Sequence, residues 1–246
     1  MRPRISIILP VYNRMHLIRH SMQSLFDQTF KDFEIIAVDD GSDDSTWEIL
    51  KELQAKDSRV KPQKLKRHSG LTEAIKLAHE VAEGDICVKQ DSDDLSLPNR
   101  LEVIERMFSK YPAMDFFYHS MYQTFTEDSD LLRRDYIRAT QIEKERILKE
   151  QYIPGAYSYK RESVLKLPYR KLHCSEDWML ILDFFLRDMK IGYIDEALYE
   201  YIMRPDSNSV MSSELQYRED EESMKTILSE EYGIHNFTYG QGKIHS

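Results

Sequence analysis

Over the first 125 residues, short apolar runs alternate with amphipathic ones, and this alternation constrains the fold more than any other feature of the chain. "RISIILPV" (4–11) reads as a buried strand, and "MHLIRHSMQSLFDQ" (15–28) carries Met15, Ile18, Met22, Leu25 and Phe26 at helical spacing. "FEIIAVDD" (33–40) is a second buried strand, followed by a helix over 44–56 capped by Asp43 or Asp44. A strand near 60–66, a helix near 71–82, the strand "DICVKQ" (85–90) and a helix over 98–111 follow, with Pro98 in its first turn. A further strand is expected over 114–125. Strand and helix thus alternate four times, which predicts an α/β domain: a Rossmann-like, mostly parallel sheet with helices on both faces.

Beyond residue 125 the pattern changes. Residues 127–150 are charged and read as partly helical; 155–167 suggest a strand and a short helix. "SEDWMLILDFFLRDM" (175–189) is an apolar helix with Ser175 as its N-cap, and 191–204 read as one or two strands. A charged helix runs from Ser212 to Gly233, and the last residues, "HNFTYGQGKIHS", read as mobile or peripheral. The expected organisation is one domain over 1–211, with halves 1–110 and 111–211, and a helical tail over 212–246.

Composition narrows the function. A net charge of −9 supplies no basic field for nucleic acid. The basic island "RVKPQKLKRH" (59–68) reads as a solvated edge strand. No apolar run reaches membrane-span length and the N-terminus is unlike a signal peptide. Cys87 and Cys174 form no metal-spaced cluster and read as reduced thiols. The expected location is cytoplasmic, with peripheral contact at the inner membrane face left open.

The chemistry gathers at the strand ends. Ligands bind beyond the carboxyl ends of strands in open α/β sheets. Here those ends read "PVYN", "VDDGSDDS" and "QDSDD". Asp91 and Asp93, two apart on extended chain, face one side and repel each other unless a cation lies between them. Hard oxygen ligands suit Mg²⁺ or Mn²⁺ held jointly with substrate phosphates. Alone, such a pair is better read as an acidic loop capping the helix over 98–111; its place among three polar strand ends favours a diphosphate platform.

"SIILPVYN", "EIIAVDDGSDDST", "AEGDICVKQDSDDLSLPNRL" and "SEDWML", in that order and spacing, resemble the signatures of family-2 inverting glycosyltransferases of the GT-A fold. The resemblance spans residues 4 to about 209. It implies a metal-dependent enzyme moving a sugar from a nucleotide-sugar donor, UDP-sugar foremost, to a glycan or glycolipid acceptor. On it, Pro10, Tyr12 and Asn13 match the nucleobase motif. Of Asp39 and Asp40, Asp40 is preferred as the uracil acceptor. Asp91 would contact ribose and share the metal with Asp93; Ser92 between them is assigned to the donor site, and Asp94 is the third acidic position. Asp177 matches the general base, with Glu176 next in line. Arg204, Ser207 and Ser209 resemble a loop that closes over diphosphate. His68, in "HSG", stands where the family has Asn and is assigned to the donor site. The Q-x-x-R-W motif of processive members is absent, implying one sugar per binding event.

Two rivals are set against this reading. A sugar-1-phosphate nucleotidyltransferase would carry a Gly-rich N-terminal loop, but no Gly precedes Gly41. A noncatalytic module binding nucleotide sugar or polysaccharide would not need both Asp93 and Asp177. Read locally, Asp177 is only a helix-capping acid in a first turn; the order of motifs makes it the base. Trp178 and the run Phe116–Tyr118 are expected in the core, and the charged tail helix is expected to be a solvated face.

Overall fold

The computed structural model describes residues 2–127, 130–205, 212 and 214–239. The first half follows the expected alternation: β1 (Ile5–Val11), α1 (Ile18–Phe26), β2 (Phe33–Asp39), α2 (Thr46–Lys56), β3 (Val60–Lys64), α3 (Leu71–Val81), β4 (Ile86–Lys89) and, after the two-residue β5 (Leu95–Ser96), α4 (Arg100–Lys110). The second half comprises β6 (Phe116–Glu127), β7 (Asp130–Ile137), α5 (Lys144–Ile147), β8 (Tyr157–Lys160), α6 (Arg161–Val164), α7 (Glu176–Leu186), β9 (Ile191–Met203) and α8 (Glu214–Tyr232).

One sheet runs β3-β2-β1-β4-β8-β6-β9-β5, with β7 paired to β6. β1 to β4 are mutually parallel, as are β6 and β9, while β8, β5 and β7 join antiparallel. β1 and β2 are buried along their whole length, which is why they read as unbroken apolar runs rather than alternating ones. Ile5, Ile7, Leu9, Ile35 and Val88 pack under α1, α2 and α4. Ile8, Ile36, Val38 and Cys87 face the other way, under α3, α7 and α8. The chain leaves β1 toward β2 and β3, then returns by α3 to place β4 on β1's other side. The sheet's direction of winding therefore reverses between β1 and β4, the place where α/β sheets open a crevice.

Several expectations are corrected. Residues 130–137 form a strand, exposed on nearly every residue, so no apolar period announces it. Helix α4 begins at Arg100, leaving Pro98 outside; the Pro98 carbonyl accepts the Thr29 N–H at 2.8 Å. Ser45, not an Asp, is the N-cap residue of α2, while Asp44 still accepts the Thr46 N–H at 2.9 Å. Ser175 stands at the N-cap of α7 without a capping bond, because its hydroxyl pairs with Tyr239. Of the last residues, 235–239 are docked rather than peripheral, since Phe237 is buried and packs on Trp178, ring centroids 5.3 Å apart, while 240–246 lie outside the described residues. Trp178 and Phe116–Tyr118 lie in the core as expected.

Candidate active site

The end of β1 turns at Asn13, whose φ of 51° is left-handed. Its side chain accepts the Asp43 N–H at 3.1 Å and its own N–H donates to Ser42 Oγ at 2.9 Å, stitching this turn to the one after β2. Pro10 lies buried inside β1, opposite Val38. Tyr12 reaches the surface and stacks on His68, centroids 3.9 Å apart. His68 Nδ1 lies 2.8 Å from Asp40, whose carboxylate also accepts the N–H groups of Ser69 and Gly70 at 2.7 and 2.8 Å. Asp39 is fully buried, accepting from Ser42 N–H at 3.0 Å and lying 3.1 Å from Lys64 Nζ. Gly41 is required here: at φ 72°, a Cβ would lie 2.5 Å from the Arg67 backbone. Tyr12 and Asp40, predicted for the nucleobase, and His68, predicted for the donor site, thus form one constellation, with Asp39 beneath it.

Beyond β4 the three acids separate in role. Asp93 pairs with Arg14 Nε at 3.4 Å and Arg204 Nη2 at 3.2 Å, and its carbonyl accepts from Arg204 at 2.9 Å. Asp91 lies 3.2 Å from Lys89 Nζ. Asp94 is fully buried and accepts the Ile202 N–H at 2.8 Å, so it locks this loop to β9. Burial, then the neighbouring Asp93 and Asp91, push its carboxyl well above the usual range. Ser92 is buried between the two rim acids. Ser207 and Ser209 lie outside the described residues. Asp91 and Asp93, whose charges act on each other, are the carboxylates that could hold a divalent cation. Among the described residues no trio of acids, His or Cys could hold a metal ion. Phosphate and water would therefore complete its shell.

A fixed scaffold supports this loop. Arg100 is fully buried and donates to the Lys89 carbonyl at 2.8 Å, Gln90 Oε1 at 3.0 Å, Ser96 Oγ at 2.9 Å and His119 Nε2 at 3.1 Å. Its guanidinium lies 4.4 Å from the Tyr199 ring, and the Tyr199 hydroxyl accepts the Asp91 N–H at 3.0 Å. His119 therefore accepts at Nε2 and donates from Nδ1 to the Ser120 carbonyl at 2.8 Å. Burial, with Arg100 beside it, pushes its pKa down to about 3, keeping it neutral.

At the start of α7, Asp177 Oδ2 accepts from Lys89 Nζ at 2.6 Å, and the Tyr157 hydroxyl donates to Oδ1. Gly155 leaves room for this carboxylate, since a Cβ there would lie 3.2 Å from Oδ2. Glu176 stands beside it with Oε2 buried and unbonded. Burial, then the charge of Asp177, push its carboxyl up to about 7. Burial disfavours the Lys89 ammonium, but Asp177 and Asp91 outweigh it and hold its proton well above the ordinary range. The sequence reading missed Lys89, Tyr157, Gly155, Arg14 and Arg100. The available signal was Lys89 itself, a charge within an otherwise buried strand.

The model of glycosyl transferase family 2 matches residues 6–167. The chain belongs to this family. This glycosyltransferase is 27% identical over 206 residues to an uncharacterized glycosyltransferase of Methanocaldococcus jannaschii, covering 81% of the chain and 71% of that protein. Among solved structures it resembles S. aureus TarS 1–349 in complex with UDP-GlcNAc, with a TM-score of 0.73 and 20% identity. That likeness covers 92% of this chain and 67% of the other. A Pyrobaculum calidifontis mannosyltransferase in complex with GDP-Man and Mn²⁺ gives a TM-score of 0.62 at 15% identity, over 85% of this chain and 59% of that one. The fold is GT-A. No helix among the described residues of this glycosyltransferase is long and apolar enough to cross a membrane.

Proposed function

We propose that this glycosyltransferase moves one sugar per binding event from a UDP-sugar to a hydroxyl of a glycan or glycolipid, inverting the anomeric carbon, in the cytoplasm. One observation carries the reading: Asp177, on α7, shares the Lys89 ammonium with Asp91 at the end of β4. A carboxylate held by two donors thus stands beside the rim to which the nucleoside diphosphate is assigned.

Tyr12 offers a ring to the base and Asp40 an acceptor to its N–H. Asp91 and Asp93 would hold Mn²⁺ or Mg²⁺, which when bound offsets charge on the leaving diphosphate. The Mn²⁺ complex of the structurally similar mannosyltransferase supports that assignment. Arg14 and Arg204, now on Asp93, add positive charge at the same place. Asp177 takes the acceptor's proton, a contribution of roughly 10²–10⁴-fold for a general base. The acceptor oxygen attacks the anomeric carbon opposite the departing diphosphate, so the configuration inverts.

Calorimetry of UDP with Mn²⁺, with Mg²⁺ and with chelator tests the donor site. Affinity is expected to be at least about tenfold tighter with either ion, because Asp91 and Asp93 then face phosphate through a cation. Equal affinity with chelator removes the metal from the account; no UDP binding at all removes the donor site.

A further inference from the structure

Position 89 lies at the end of β4, one residue past the β8 pairing at Val88–Ser158, and on the same side of the strand as the buried Cys87. An aliphatic residue would suit such a place best. Burying an ammonium is costly unless it is paired, and exchanging a whole buried ion pair for apolar residues is often neutral or stabilising. Yet the Lys89 side chain is only 8% exposed. Its backbone carbonyl is pinned by Arg100 and its Nζ lies 5.5 Å from the centre of the Tyr157 ring. Nζ then meets two carboxylates from different elements, Asp177 of α7 at 2.6 Å and Asp91 just past β4 at 3.2 Å.

We propose that Lys89 is the positioning residue of the base, holding Asp177 in register with the donor-side carboxylate Asp91, with Tyr157 as the second holding group. The inference rests on the reading of Asp177 as base. Two donors, one per oxygen, fix the plane of the Asp177 carboxylate before any acceptor arrives. The same ammonium serves the chemical step. The acceptor oxygen bonds the anomeric carbon as its proton passes to Asp177. The bond from that carbon to the phosphate oxygen breaks, and its electron pair leaves with the diphosphate. Asp177 is then neutral and one further negative charge lies on the donor side. Lys89, already touching Asp91, is left facing that charge.

The test uses the full chain. Lys89→Met, Asp177→Asn and the double variant are melted side by side, and UDP-GlcNAc hydrolysis with Mn²⁺ and UDP affinity are measured for each. Lys89→Met is expected to cut hydrolysis turnover at saturating donor by about tenfold or more, the scale of a misplaced acid–base group. UDP affinity is expected to move by less, about threefold, since Lys89 acts mainly through Asp177. In Lys89→Ala, added ethylammonium restores part of the lost turnover and leaves the wild type unchanged. In the melts, the double variant falls less than the two single drops together, as coupled partners do. Lys89→Gln replaces Lys89→Met in the cycle if the latter fails to fold. Additive melting shifts overturn the proposal. So does unchanged turnover in Lys89→Met, or lost turnover that no amine restores. A wild type that turns over no nucleotide sugar fails the enzymatic reading instead, and the melting cycle still decides whether Lys89 holds Asp177.

Discussion

Arg100→Ala tests whether the donor loop hangs from one buried side chain. The guanidinium is fully buried and makes hydrogen bonds to the Lys89 carbonyl, Gln90 Oε1, Ser96 Oγ and His119 Nε2, none of them a carboxylate. Hydrogen bonds from a charged donor contribute roughly 1.5–3 kcal/mol each. Against them stands the cost of burying the cation, visible in a pKa pulled down to about 10, chiefly by burial. Alanine also strands the Lys89 carbonyl and leaves space against the Tyr199 ring. The net loss should be about 3 kcal/mol, within the range of a broken buried network. For a domain of this size that lowers the melting temperature by roughly 6–12 °C. Urea unfolding with calorimetric melting is the assay, and UDP affinity should fall with stability because Asp91 follows Lys89 and Gln90. A loss under about 1 kcal/mol, with an unchanged urea slope, would refute the argument that Arg100 organises this loop.

Three further outcomes are expected. His79 is buried between the hydroxyls of Tyr159 and Tyr169, and burial pushes its pKa from 6.5 down to about 3. Between those values the unfolded chain binds a proton that the folded one refuses, so this group's contribution is complete above pH 6.5 and is lost as pH falls toward 3. His79→Leu should flatten the stability-versus-pH slope there by about 1.4 kcal/mol per pH unit; an identical slope contradicts the buried neutral imidazole. Tyr12→Ala should weaken UDP binding by about tenfold, as expected from roughly 1–3 kcal/mol of base stacking, with little change in melting. Unaltered affinity would move the nucleobase elsewhere. Gly155→Ala should depress turnover and spare UDP affinity, since the new methyl presses on Asp177 Oδ2; normal turnover would mean that this carboxylate has room to move.

The first half of the fold was legible because β1 and β2, buried on both faces, leave continuous apolar runs between helices of clear period. The polar strand ends located the rim for the same reason. β7 was invisible because its residues are exposed on both faces and carry no alternation. The docking of Phe237 and Tyr239 depends on Trp178, some sixty residues away, and local sequence cannot reveal a partner at that distance. Site residues divide likewise. Tyr12, Asp40, Asp91, Asp93 and Asp177 belong to motifs and could be named from them. Lys89 and Tyr157 matter only because β4 and β8 bring them to α7. Asp94 shows the opposite case: it sits within the acidic motif, yet its carboxylate spends itself on the β9 backbone.

The central claim is that Asp177 takes the acceptor's proton while the donor is held by the β1 and β4 strand ends. The most direct test is turnover of a nucleotide sugar by Asp177→Asn at saturating donor, with Mn²⁺, alongside its UDP affinity and melting temperature. The amide keeps the size of the carboxylate and remains a good residue for a helix start, but it accepts no proton at neutral pH. Turnover should be at least about 10²-fold lower, with UDP affinity unchanged. Near-normal turnover in a folded Asp177→Asn protein would contradict it and make Glu176, at a pKa of about 7 beside it, the residue to examine.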